Sequence, residues 1–222
     1  LSTPAHPLNT SRCFAVIPAA GVSARMGQHK LLMEWRGRTV IEAVLDTWCE
    51  CPLAEVVVVV RQDDLALQKV LSRAGGRVHV VLAQSPPRDM KASLVLGFES
   101  IESRHAITDC DYCFVAPADL VEFKCDVIER MVRETEHVSG VPVMVPMFGS
   151  KAGHPILLSW PVVRQVATLD EDAGLDQLVK RLPPHAVHFS PADYRKDFDT
   201  PSEYAAMVVR FGAGSSEIDT SS

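Results

Sequence analysis

The residues best suited to chemistry lie in Phe14-Ala-Val-Ile-Pro-Ala-Ala-Gly-Val-Ser-Ala-Arg-Met-Gly27, with Lys30 just beyond. A short apolar run leads into a turn of small residues and then into two cations. Ala19, Ala20 and Gly21 let a backbone approach a ligand closely, and unpaired N–H groups in such a turn can face phosphate oxygens. Arg25 and Lys30 add charge that a neutral loop lacks. This order suits a strand that delivers a loop to a nucleoside triphosphate. A tight β–α turn with surface cations would read the same way. Neither common phosphate motif is present: there is no Gly-x4-Gly-Lys-Ser/Thr string, and the loop has glycines only at 21 and 27, not G-x-G-x-x-G.

Four further residues could act with this loop. Asp119 follows the apolar run Tyr112–Ala116. A carboxylate just past a buried strand suits a hard cation such as Mg²⁺, which needs only one or two carboxylates beside phosphate oxygens; a turn or helix-cap aspartate is the alternative. Asp199 sits in Asp197-Phe-Asp-Thr-Pro201. Thr200, Pro201 and Glu203 form a helix start with a capping box, which leaves Asp199 either to pair with Asp119 at a metal or to offset the helix dipole. Ser93, in Met90-Lys-Ala-Ser-Leu94, could touch a base or ribose or face solvent. His154, in Gly153-His-Pro155, is either a site residue or a satisfied structural histidine, and Pro155 suits a rigid or cis turn.

Positioning these groups requires strands and helices in alternation. Near-continuous apolar runs at 13–17, 55–60, 78–82, 112–116 and 142–147 read as strands covered on both faces. Between them lie helical patterns: Val40, Ile41, Val44, Leu45, Trp48; Val127, Ile128, Met131, Val132; and Val162, Val163, Val166. Asp63 is the expected cap of a helix carrying Leu67, Val70 and Leu71. The predicted fold is α/β, three-layer, a mostly parallel sheet with helices on both faces. Ligands then bind beyond the carboxyl ends of the strands, where the 18–30 loop and Asp119 fall. Residues 1–12 and 212–222 read as flexible tails, and 13–211 as one domain.

Bulk properties narrow the partners. With 22 Lys and Arg against 28 Asp and Glu, the net charge is −6, which argues against a general nucleic-acid binder. No apolar run approaches membrane-spanning length, and no secretory signal pattern is visible. The six cysteines include Cys110-x-x-Cys113 but no partner pair for a zinc site. They read as reduced and structural in a cytoplasmic protein. No long exposed apolar helix demands a second copy, so a monomer is expected.

Taken together, Ala19-Ala-Gly-x-Ser-x-Arg-Met-Gly27 with Lys30, Met90-x-x-Ser-Leu94, Asp119, Gly153-His-Pro155, Leu169-Asp-Glu-Asp-Ala-Gly174 and Asp197-Phe-Asp-Thr-Pro201 resemble, in order over residues 13–208, a known family. It is the MobA-like nucleotidyltransferase superfamily with a glycosyltransferase-A-type fold, and within it the molybdenum cofactor cytidylyltransferases. The resemblance implies an enzyme that moves CMP from CTP onto a phosphorylated acceptor, molybdopterin by preference, releasing pyrophosphate. It implies Mg²⁺ held by Asp119 and Asp199, and Arg25, Lys30 and Asp119 as the catalytic set. Ala19, Ala20, Gly21, Ser23, Arg25, Lys30 and Ser93 would bind the nucleotide, with His154 on the acceptor side. A molybdoenzyme or its chaperone would be a further partner. Guanylyl-transferring relatives usually carry glycine where Ala20 sits, so the Ala-Ala-Gly form points to a pyrimidine.

This chain departs from the family in three places. The usual Asp-x-Pro reads Asp119-Leu-Val121, Gln84-Ser-Pro-Pro-Arg88 replaces an Asn-Pro start, and Asp89 stands where glycine is common. Related transferases that use GTP, or a sugar-phosphate, isoprenoid or phospholactate acceptor, share the loop. A nucleotide-binding accessory protein without turnover is the reading from outside the enzymes.

Overall fold

The computed structural model describes residues 11–21, 26–138, 140–170, 173–195, 198 and 200–212. The strands are β1 (Cys13–Pro18), β2 (Glu34–Trp35), β3 (Arg38–Thr39), β4 (Glu55–Arg61), β5 (Val78–Ala83), β6 (Tyr112–Val115), β7 (Val143–Phe148), β8 (Lys151–Ala152), β9 (Ile156–Ser159) and β10 (Pro184–Phe189). The helices are α1 (Val40–Glu50), α2 (Leu65–Leu71), α3 (Met90–Arg104), α4 (Cys125–His137), α5 (Trp160–Ala167), α6 (Leu175–Arg181) and α7 (Pro201–Met207). The main sheet runs β10-β7-β9-β6-β1-β4-β5, with β8 paired to β7; β2 and β3 form a separate hairpin. β5, β4, β1 and β6 are mutually parallel, as are β7 and β10. β9 runs against both of its neighbours.

Alternation along buried strands builds the three layers. Successive side chains point to opposite faces, so a run that is apolar at every position serves two cores. Ala15, Ile17, Val56, Val58, Val60 and Phe114 pack toward α1, α2 and α4, including Trp48, Leu67 and Ile128. Phe14, Val16, Val57, Val59, Cys113 and Val115 pack the other way, toward α3 and α5, including Phe98 and Trp160. The mostly parallel sheet with helices on both faces stands as expected. Gly97 of α3 is needed for this packing, because a Cβ there would lie 2.5 Å from Cγ1 of Val16.

Several elements differ from the sequence reading. β9 and β10 were not among the five expected strands. β10 carries His185 and His188 at the sheet edge and buries Val187 alone, so no apolar run marks it. The cap of α2 is Asp64, not Asp63: Asp64 Oδ1 accepts from the Leu67 N–H at 3.1 Å, while Asp63 pairs with Arg61 at 2.9 Å. Asp89 caps α3 by accepting from the Ala92 N–H at 2.8 Å, which accounts for an acid at that position. The capping box at Thr200 and Glu203 forms as expected. Arg12, grouped with the N-terminal tail by sequence, bonds through its backbone N–H and guanidinium to buried Asp111. The remainder of that tail up to residue 10, and residues 213–222, lie outside the described residues.

The six cysteines are free thiols. Burial pushes the Cys13 thiol up to about 12 and Cys113 well above its ordinary value, which keeps both as inert protonated groups. Among the described residues no helix is long and apolar enough to cross a membrane.

Candidate active site

Two adjacent parallel strands bring the chemistry together. The register Val16↔Val115 carries β1 and β6 forward in step, one to the turn at Ala19 and the other to Asp119. Ala19 extends the sheet by one bond, its N–H donating to the Val59 carbonyl at 2.8 Å. That N–H therefore serves the ladder, not a phosphate. Ala19 and Ala20 are buried and Gly21 is exposed. Among the described residues nothing lies within 4 Å of a Cβ built on Gly21.

The far side of the loop is firmly seated. Gly27 has φ +66°, a left-handed turn suited to glycine. Met26, Leu31 and Met33 are buried on either side of it, and Lys30–Leu32 forms a single 3₁₀ turn. His29 Nε2 lies 2.7 Å from Asp64 Oδ2. Lys30 Nζ then pairs with Asp119 Oδ2 and sits 5.0 Å over the ring of Phe198. Phe198 is fully buried, and its N–H donates to the same Asp119 oxygen at 3.2 Å. Asp119 is only 5% exposed. A buried carboxylate is sustained by such charge and N–H partners. The result is a cation and a carboxylate locked together at the rim where the parallel strands end.

His154 reaches this same rim. Because β9 is antiparallel to β6 with Val115↔Ile156 in register, the start of β9 lies beside the end of β6. His154 is exposed there, joined to Pro155 by a cis peptide bond. The preceding Gly153 has its Cα against the Phe148 ring, where a Cβ would come within 2.7 Å.

The profile of the MobA-like NTP transferase domain matches residues 15–187. The chain belongs to the MobA-like NTP transferase family. It is accordingly a nucleotidyltransferase. The molybdenum cofactor cytidylyltransferase of Escherichia coli (strain K12) is 22% identical over 197 residues, spanning 88% of this chain and 95% of that protein. Among solved structures, Rv0371c from Mycobacterium tuberculosis H37Rv resembles this MobA-like chain with a TM-score of 0.73 at 23% identity, covering 90% of this chain and 99% of that one. The complex of Rv0371c with manganese gives 0.70 at 21% identity, with 90% and 99% covered. These two likenesses concern the fold.

The structure thus brings Lys30 and Asp119 into contact and sets Ala19, Ala20, Gly21 and His154 along one edge. Ser93 is buried in the first turn of α3, and its hydroxyl donates to the Asp89 carbonyl at 3.4 Å. The solvent-facing reading of Ser93 is therefore overturned, because the first turn folds the hydroxyl back on its own helix. Ser23, Arg25 and Asp199 lie outside the described residues. Three neighbours of the candidate residues were missed by sequence reasoning: His29, Asp64 and Phe198. The lone phenylalanine between Asp197 and Asp199 was the available signal for the last.

Proposed function

We propose that this MobA-like nucleotidyltransferase moves CMP from CTP onto a phosphorylated acceptor of the molybdopterin class, with Mg²⁺, and releases pyrophosphate. The observation that carries it is the convergence of Lys30, Asp119 and the Phe198 N–H at the ends of two neighbouring parallel strands. Support for the base and acceptor comes from the Ala19-Ala20-Gly21 turn and from the likeness to a cytidylyltransferase of the molybdenum cofactor.

Two hard carboxylates, Asp119 and Asp199, are the chemistry that suits a divalent metal. Asp119 offers a hard carboxylate at the rim, and Asp199 follows directly on the residue whose N–H touches it. Asp119 and Asp199 would hold the ion. When bound, Mg²⁺ supplies charge neutralisation to the triphosphate.

The chain's own residues position and neutralise. The small residues of the 19–21 turn let the triphosphate approach the backbone closely. Lys30, oriented by Asp119 and the Phe198 ring, meets the charge that grows on the departing pyrophosphate, and Arg25 adds a second cation. An oxygen of the acceptor phosphate forms the new bond to the α-phosphorus as the bond to the β-phosphate oxygen breaks. No protein nucleophile is required. His154 faces the acceptor, and Ser93 braces the start of α3.

Calorimetric titration with CTP, GTP and ATP, each with and without Mg²⁺, followed by pyrophosphate release with molybdopterin, tests this reading. Metal-dependent binding that favours CTP, with turnover on molybdopterin, is expected. Preference for a purine nucleotide would move the base assignment, and turnover only on other phosphorylated acceptors would move the acceptor. Binding without pyrophosphate release would replace the enzyme by an accessory protein.

A further inference from the structure

Three residues beyond Asp119 the chain makes a turn that its sequence does not favour. Glu122 has φ +61°, in the left-handed region where a Cβ crowds the backbone. Such outliers persist only where the surroundings over-determine them, and here they do. Glu122 Oε1 accepts from the Trp35 indole N–H at 3.1 Å and pairs with Arg36 Nη1 at 3.1 Å. Its carbonyl accepts from Arg195 Nε at 2.8 Å.

These partners belong to two other limbs of the site. Trp35 and Arg36 are at the tip of the β2–β3 hairpin, whose turn residues Arg36 and Gly37 have φ +51° and +79°. That hairpin follows directly on the 3₁₀ turn that begins at Lys30. Arg195, which also donates to the carbonyls of Ala192 and Tyr194, opens the short segment that ends at Phe198. Glu122 itself is on the loop of Asp119. One residue is thus bonded to the limbs that carry Lys30, Asp119 and the Phe198 N–H.

We infer that Glu122 is a positioning residue that holds these three limbs in register, acting through them and not on substrate. This rests on the transfer reaction proposed above. Its carboxylate ties the Asp119 loop to the hairpin, and its carbonyl, held in place by the left-handed turn, ties that loop to Arg195.

The test compares Glu122→Gly with Glu122→Gln. Glycine accepts the left-handed turn but drops the side chain. Glutamine keeps an acceptor for Trp35. We expect kcat to fall at least about tenfold in the glycine variant, with KM for CTP changed by less than about threefold, and most of kcat to return in the glutamine variant. The indole ¹⁵N–¹H resonance of Trp35 should move toward a solvent-exposed position in the glycine variant only. Unchanged kcat in a folded glycine variant, or an unmoved Trp35 resonance, would overturn the inference. If the glycine variant does not fold, Trp35→Phe serves: a fall in kcat supports the clamp and an unchanged kcat refutes it. If the wild-type protein transfers no nucleotide, the proposed reaction fails on its own, and the Trp35 resonance alone decides the clamp.

Discussion

His29 Nε2 lies 2.7 Å from Asp64 Oδ2, so the residue beside Lys30 is bonded to the residue that caps α2. The two carboxylate oxygens divide the work, Oδ1 taking the Leu67 N–H and Oδ2 the imidazole. Asparagine can cap a helix as well as aspartate can. Asp64→Asn should therefore lose less than about 1 kcal/mol, whereas Asp64→Ala should lose about 2 kcal/mol or more, since it removes a cap and strands a partly buried histidine. Chemical denaturation of both variants checks this. Equal losses would mean that the cap contributes nothing.

Lys30 and Asp119 should behave as a coupled pair. Lys30→Ala and Asp119→Ala should each lower pyrophosphate release at least about a hundredfold, because each removes charge stabilisation at the reacting phosphates. Each also takes a close opposite charge away from a side chain that stays buried, at a cost of about 3 kcal/mol in stability. The double variant should be clearly more stable than the sum of the single losses implies. Additive losses, or near-wild-type turnover in either single variant, would remove the pair from the site.

Gly97→Ala tests the seat of α3 on the sheet. A Cβ there would meet Val16 at 2.5 and 3.1 Å and Val59 at 3.3 Å. Overpacking of this kind costs about 1–3 kcal/mol, which outweighs the gain in helix propensity of about 1 kcal/mol. Adding Val16→Ala should recover part of the loss. A more stable Gly97→Ala protein would show that α3 shifts easily.

Acid should act through Asp111. Burial pushes its carboxyl up, but bonds from the Arg12 guanidinium, the Thr108 N–H and the Arg12 N–H outweigh that and hold it below the usual aspartate value. A depressed folded value means that the stabilisation is fully present above the ordinary value, near pH 4, and is lost as pH falls through the folded one. Urea denaturation at pH 7, 4 and 3 should therefore show a steeper decline for wild type than for Asp111→Asn. Parallel declines would assign the acid sensitivity elsewhere.

The local features of the candidate site were legible because they are periodic or contiguous. Apolar runs at 13–17 and 55–60 marked the central strands, since a strand covered on both faces must be apolar throughout. The order strand, small-residue turn, Lys30 placed the loop at the carboxyl edge. Thr200, Pro201 and Glu203 announced the start of α7. Asp119 could be placed at the rim because it follows a buried strand.

What the sequence determined by itself was the layered α/β plan and the sheet edge at which the candidate site residues fall, because both follow from the spacing of apolar and small residues along a few turns or strands. Only the tertiary structure decided the partners. His29 meets Asp64 across 35 residues, Phe198 meets Asp119 across 79, and Trp35 meets Glu122 across 87. The reversed direction of β9 and the left-handed turn at Glu122 likewise depend on what packs against them. Periodicity constrains neighbours in the chain, whereas a hydrogen bond between distant segments exists only once the sheet has set their ends side by side.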